Sequence, residues 1–330
     1  MRWPISATLK GSVPAMPNVQ IRGPILSVND LLDHQRFFAE ALAMEATAAA
    51  RLSPTHASSL LGLHEHAVET IFYQRTPTDF GVRLWCIDPP HEETVRTPER
   101  GTDLDALKVI DFYAPDFDES IRTLGNAGYP PKDETARYAL PEGDFLEAHF
   151  WRPDNVVCAV ISGPRNFFAN MVTTVDHPFS EPQSISAPVS DVPAVVEFYE
   201  SVFGFSQLHR YEFSNPSFDA MVGADEPLNL SAINIGTDLR APYLGVIDYG
   251  KTNGDGRSLT GRSRPPMRGL IGVELLVDDL SPVLAAAHKN GADLIAGPNA
   301  LAYPPYGEIL SCLIEGPHGV VHHVIQKTTS

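Results

Sequence analysis

Apolar and polar positions along this chain repeat one phrase four times. An extended apolar run ends at an aspartate, and the aspartate opens an amphipathic helix: IRGPILSVND ends at Asp30, KVIDFYAPD at Asp116, SISAPVSD at Asp191 and GVELLVDD at Asp279. The helices are of two kinds. LLDHQRFFAEALAM and VPAVVEFYESVFGF, after Asp30 and Asp191, carry paired aromatics (Phe37 and Phe38; Phe198 and Tyr199). The other two are shorter, stopped by Asn126 and Gly128 or by Asn290 and Gly291. The order is therefore A-B-A-B. Asp191 lies 161 residues beyond Asp30 and Asp279 lies 163 beyond Asp116, the spacing expected if a two-unit segment had been duplicated.

Extended segments follow each helix. In the third unit they are LHRYEF, DAMVG, LNLSAINI and APYLGVIDYG; in the fourth, ADLIAG, GEILSCLIEG and GVVHHVIQ. One strand, one helix and about three strands predict a βαβββ module. A lone module leaves one sheet face bare, so the modules should pair and curl into cups with side chains inside. The expected fold is α+β, four βαβββ modules paired into two cup-shaped domains. Pairing consecutive modules gives residues 19–163 (modules one and two), a linker at 164–183, and residues 184–327 (modules three and four) as the binding or active domain. The four aspartates read as helix N-caps, because a carboxylate there satisfies orphan backbone N–H groups.

Composition narrows the function classes. The chain has 330 residues, 43% hydrophobic and 20% charged, ordinary values for a water-soluble globular protein of two domains. Its net charge of −17 argues against nucleic acid or an anionic membrane as partner, since phosphate contacts need clustered Lys and Arg. No apolar run nears the roughly 18 residues of a membrane helix, and the start MRWPISATLKGS lacks a signal peptide's apolar core, so a cytoplasmic protein is expected. Cys86, Cys158 and Cys312 lie far apart in strand-like runs, as reduced buried thiols would. The stretch 250–269 carries Lys251, Arg257, Arg262, Arg264 and Arg268 against Asp255 alone. It reads as a solvated linker or, more sharply, as a positive flap that draws in an anionic small molecule.

SAPVSDVPAVVEFYESVFGF (186–205), GVELLVDDLSPVLAAAHKNGADLIAGP (272–298) and YGEILSCLIEGPHGVVHHVIQ (306–326) resemble the vicinal oxygen chelate superfamily, which includes glyoxalase I, extradiol dioxygenases and bleomycin-resistance proteins. The resemblance covers about 20–326 and implies a fold more firmly than a reaction. It also implies where a metal would sit: a ligand seven residues before each capping aspartate and another on each module's last strand. Counting back gives Gly23, Val109, Ser184 and Gly272; the last strands offer Arg83, Cys158 or Ala159, Ile247 and His323. Only His323 is a good ligand for Fe, Mn or Zn, so the family triad is expected to be absent, with no cofactor. His64, Glu65 and His66 fall at a rim, and His322 should face away from His323.

Strand parity places Ser186 and Glu274 on the same face as the vacated positions. Glu274 and His323 would then share one cup as a general acid/base pair, with Tyr306 as a third catalytic candidate. Ser184, Ser186, Tyr211, Tyr243, Tyr303 and Glu308 are the candidate substrate-binding residues, with Glu212 and Tyr249 beside them on the facing wall. The first two modules offer only Arg83 and Asp111 as comparable polar residues and read as scaffold or interface. Three functions are expected in this order: metal-independent acid/base chemistry of the lyase, isomerase or hydrolase type on a small aromatic or carbonyl compound; an extradiol-type dioxygenase whose Fe or Mn ligands are displaced; and a non-catalytic protein that sequesters its ligand. A homodimer is the expected assembly.

Overall fold

The structure is a computed structural model and describes residues 18–328 except 133, 141–142, 165–170 and 251–255. Lys251, Asp255 and part of the expected 164–183 linker therefore lie outside the described residues. Module one comprises β1 (Val19–Val28), α1 (Leu31–Gln35, continuing as a π-turn over Arg36–Ala41), β2 (Glu45–Leu52), α2 (Pro54–Leu61), β3 (Ala67–Gln74) and β4 (Gly81–Asp88). Module two comprises β5 (Val109–Tyr113), α3 (Phe117–Asn126), β6 (Ala136–Leu140), β7 (Gly143–Trp151) and β8 (Val157–Ser162). Module three has β9 (Pro182–Pro188), α4 (Val192–Phe203), β10 (Ser206–Phe213), α5 (Pro216–Val222), β11 (Leu230–Gly236) and β12 (Tyr243–Asp248). Module four has β13 (Gly269–Val277), α6 (Leu280–Lys289), β14 (Asp293–Tyr303), β15 (Gly307–Glu315) and β16 (Val321–Lys327).

All four aspartates cap their helices: Asp30 accepts from the Leu32 N–H, Asp116 from Glu119, Asp191 from Ala194 and Asp279 from Ser281. The A-type modules differ from the B-type in having a second short helix. DAMVG, read as extended, lies in α5, which starts at Pro216 under an Asn215 cap and ends in a left-handed Gly223. Its counterpart α2 has the same plan, a Ser53 cap and then a proline.

The modules do not pair consecutively. One eight-stranded sheet runs β14-β15-β16-β13-β1-β4-β3-β2 and the other β10-β11-β12-β9-β5-β8-β7-β6. Module one thus pairs with module four through antiparallel β1 and β13, and module two with module three through β5 and β9. This corrects the expected division at 164–183. Every module presents the same bare first strand, so periodicity cannot say which two edges meet; the pairing of modules one and four encloses the buried Arg83–Glu274 pair. The largest core cluster joins both sheets, combining Phe37, Leu124, Phe198 and Val283 of the helices with Leu84, Phe150, Ile235 and Val324 of the strands. Asp154 ties the halves together, paired with Arg268 at 2.9 Å and with His34 at 3.1 Å.

The basic stretch after Gly250 is likewise not a free flap where it is described. Arg257 pairs with Asp103, Arg262 with Glu93, Arg264 with Asp293 and Glu315, and Arg268 with Asp154. Each arginine has a carboxylate from another segment within reach, so the stretch fastens modules together. Among the described residues no helix is long and apolar enough to cross a membrane.

Candidate active site

The two sheets make two cups; among the described residues the cup of modules one and four is filled by side chains and that of modules two and three is open. In the cup of modules one and four, Arg83 Nε and Nη2 donate to the Glu274 carboxylate at 2.9 and 3.1 Å, a bidentate pair with no exposed surface. Tyr306 Oη donates to Glu274 at 2.6 Å, Tyr303 Oη at 3.3 Å, and Trp85 Nε1 donates to Tyr303 Oη at 2.8 Å. His323 Nδ1 lies 3.7 Å from Glu274, and its ring packs edge-on against Tyr303 and Trp85. Burial alone would raise the Glu274 carboxyl, but the Arg83 charge overrides it and holds that carboxyl well below the usual range. Burial lowers the His323 imidazole. Glu274, His323 and Tyr306, the expected catalytic set, are therefore brought together, the first two as sequence parity implied, but inside a closed network around a guanidinium in which both ring nitrogens of His323 lack a hydrogen-bond partner. The fully buried Glu274 and His323 present no surface to a substrate.

The cup of modules two and three holds a cavity of about 430 Å³. Its floor is a row of side chains in cross-strand register: Tyr243 on β12 beside Ser184 on β9, Ser184 beside Asp111 on β5, and Asp111 beside Ala159 on β8. Ser186 and Gly245 form the next row, with Asn234 of β11 opposite Gly245. Tyr138, Phe145, Phe213 and Phe218 wall it, with rings 4.9 to 5.3 Å apart in edge-to-face contacts. Tyr211 and Glu212 stand at the rim.

Two carboxylates face this space with opposed proton affinities. Burial raises the Asp111 carboxyl to about 8, the neighbouring Glu147 charge adds to the rise, and the Ser184 hydroxyl that donates to Asp111 offsets only part of it. Burial also presses Glu147 upward, but it accepts from His149 at 3.0 Å and Tyr138 at 2.9 Å, and with the charge of Lys108 these draw it below its ordinary value. The surroundings thus favour the proton on Asp111 and the charge on Glu147.

Ser184, Ser186, Tyr211 and Tyr243, all named from the sequence, line this one cavity. They do not face Glu274 and His323 as expected, because the modules pair differently; Tyr303 belongs to the closed cup, Glu308 is exposed on β15, and Tyr249 is buried against Lys108. Asp111, read as scaffold, is the residue that reasoning undervalued. Its signal was present: Asp111 and Glu274 stand at the same place in their modules, five residues before the capping aspartate. Glu147, Asn234 and the aromatic wall come from later strands whose pairing the repeat did not reveal. His64 and His66 lie at the surface, bonded to Ser58 and to the His64 carbonyl, and His322 faces away from His323, bonded to Tyr199.

No protein-family profile and no curated protein sequence matches the chain. Solved structures do. Glyoxalase I from Zea mays superposes with a TM-score of 0.60 at 13% identity, covering 94% of this chain and 93% of that one. A Bacillus subtilis protein provisionally called a dioxygenase superposes with a TM-score of 0.58 at 8% identity, covering 96% and 87%. The chain has the vicinal oxygen chelate fold. The donors at the positions where that fold's metal would be held do not suit one. The register places Gly245, not Ile247, level with Ser186, and Ala159, not Cys158, level with Asp111. Gly23 and Gly272 admit no side chain, since a Cβ would fall 1.7 Å from the Gly81 oxygen or 2.2 Å from the Val321 oxygen. In the closed cup a guanidinium holds the carboxylate. Among the described residues no three His, Cys, Asp or Glu side chains converge in a way that could hold a metal ion.

Proposed function

We propose that this protein is an enzyme that handles a small planar aromatic or carbonyl compound in the open cup by acid/base chemistry of the lyase, isomerase or hydrolase type, with Asp111 as the proton-transferring group. The observation that carries the reading is the divided carboxylate pair. A general acid works best when its proton affinity lies near the working pH, and Asp111, raised to about 8, meets that condition. Glu147 does not need to touch the substrate. Ionised and anchored by Tyr138 and His149, it helps keep the proton on Asp111. Tyr243, Ser184 and the aromatic wall orient a flat molecule, and the cavity volume suits one of modest size. No step is routed through a metal, because the donor positions of the fold carry glycine, alanine, valine and serine in this cup.

The test is proton exchange. Candidate carbonyl and phenolic compounds incubated with the protein in D₂O near pH 8, where the carboxylate form of Asp111 can take a carbon-bound proton and return a deuteron, should acquire deuterium at a C–H position, read by mass spectrometry, and Asp111→Asn should abolish the incorporation while leaving binding in place. Saturable binding with no exchange or turnover for any bound compound would replace this reading with sequestration.

A further inference from the structure

The chemistry of the open cup also indicates the charge of its occupant. Two carboxyl groups face the cavity, Asp111 and Glu147, and no Lys or Arg is among the described residues that line it. The sole imidazole there, His209, stacks on Tyr211 at the mouth, with ring centroids 5.9 Å apart. An anionic compound would enter this space against the Glu147 charge and find no cationic side chain to receive it.

Two neutral groups await a partner. Asn234 is 5% exposed and Ser186 9% exposed; both line the cavity, and among the described residues neither side chain has a hydrogen-bond partner. Buried polar groups are seldom left unpaired, so the amide and the hydroxyl point to a polar ligand, and the oxygen of each can accept from a donor on it. Tyr211 and Phe213 lie almost parallel, 5° apart with centroids separated by 6.2 Å, and extend an aromatic face from the rim toward the floor. Aromatic faces beside carboxylates are the surroundings that favour an organic cation, through the ring quadrupole and the fixed negative charge together.

We infer that the open cup takes an organic cation, a planar ring bearing an ammonium group, with the ring against the Phe213 side of the cavity and the ammonium directed to Asn234, Ser186 and the Glu147 carboxylate. This deepens the proposed function and rests on the same cavity, and it reverses the sign of the substrate expected from the basic stretch at 250–269, whose described arginines are engaged in ion pairs.

Isothermal titration of the full chain with 2-phenylethylammonium, 2-phenylethanol and 3-phenylpropanoate compares a cation, a neutral molecule and an anion of similar size. The ammonium ion should bind at least about tenfold more tightly than the alcohol, and the carboxylate should not bind measurably. Glu147→Gln should weaken the ammonium ion and leave the alcohol within about twofold. Because Glu147 is buried, the rim variant Tyr211→Leu gives a second reading that does not depend on core packing; it should weaken the ammonium ion more than the alcohol. Equal or tighter binding of the alcohol or the carboxylate, or no binding of the ammonium ion, overturns the inference. The two proposals fail separately: Asp111-dependent deuterium exchange into a neutral carbonyl compound, with no preference for ammonium, removes the cation and keeps the acid/base reading, whereas ammonium binding without exchange does the reverse.

Discussion

A carboxyl that keeps its proton to about pH 8 in the folded protein must weaken folding at neutral pH, and Asp111→Asn exposes that cost. The unfolded chain releases the Asp111 proton near the ordinary value of 3.8, the folded chain only near 8. Between those values the folded state binds the extra proton, so stability falls as pH rises, by about 1.4 kcal/mol per unit. The contribution is intact below the unfolded value and is lost progressively as pH climbs through the folded one. Asparagine is isosteric, can still accept from Ser184, and does not titrate. Going from about pH 5 to about pH 7, the stability of the variant relative to the parent should therefore grow, by on the order of 2 to 3 kcal/mol. His318 and His322, which burial drives to low proton affinity, also titrate on the acid side, but they are common to both proteins and cancel in the difference. Urea unfolding of both proteins at matched pH values measures it. A difference constant to within about 0.5 kcal/mol would show that Asp111 ionises normally and would remove the basis of the proposed acid.

Other perturbations test neighbouring parts of the argument. Arg83→Met should destabilise by about 3 to 5 kcal/mol, since Glu274 would be buried without its cation, and adding Glu274→Leu should restore much of the loss in a double-mutant cycle followed by thermal unfolding. Tyr199→Phe takes the shared hydroxyl from His318 and His322, which lie 2.7 and 3.0 Å from it, and should cost about 1 to 3 kcal/mol by the same assay. In turnover of any substrate found, activity should decline as Asp111 loses its proton near pH 8, and Glu147→Gln should move that decline to lower pH, because it removes a charge that helps hold the proton. Gly245→Arg should introduce a guanidinium level with Ser186 and near Asp111, abolish ligand binding, and eliminate the pH-dependent stability difference described above.

The fold was legible because its markers are local. An N-capping aspartate, an apolar run before it and an amphipathic helix after it are all written within about twenty residues, and four copies at a fixed spacing define the modules. Module pairing was not legible, since β1, β5, β9 and β13 have equivalent free edges, and the contacts that the pairing encloses join residues as distant as Arg83 and Glu274, 191 residues apart. The candidate site was read in halves. Counting from the capping aspartates found Ser184 and Ser186 of the open cup and Glu274 of the closed one, all on first strands. Glu147 and Asn234 sit on β7 and β11, strands with no comparable marker, and their approach to Asp111 appears only once modules two and three share a sheet. Aligning the last strands by their hairpins misplaced the level of Ser186 by two residues, which kept the side chain of Ile247 in view and hid the glycine at 245.

That glycine accounts for the difference between the cups. Cross-strand register makes Gly245 of β12 the counterpart of Arg83 of β4, each level with the residue five before its module's capping aspartate, Ser186 or Ile25. By the same register Ala159 is the counterpart of His323 and Asp111 of Glu274. Each B-type module thus brings a carboxylate to the centre of its cup. In one cup an arginine and a histidine fill the space and hold the carboxylate ionised; in the other a glycine and an alanine leave a cavity, and the carboxylate has only a serine and the charge of Glu147 for company. Loss of volume and gain of a proton therefore have one cause. The same two small residues that admit a ligand deprive Asp111 of the cation that would otherwise keep it ionised at neutral pH.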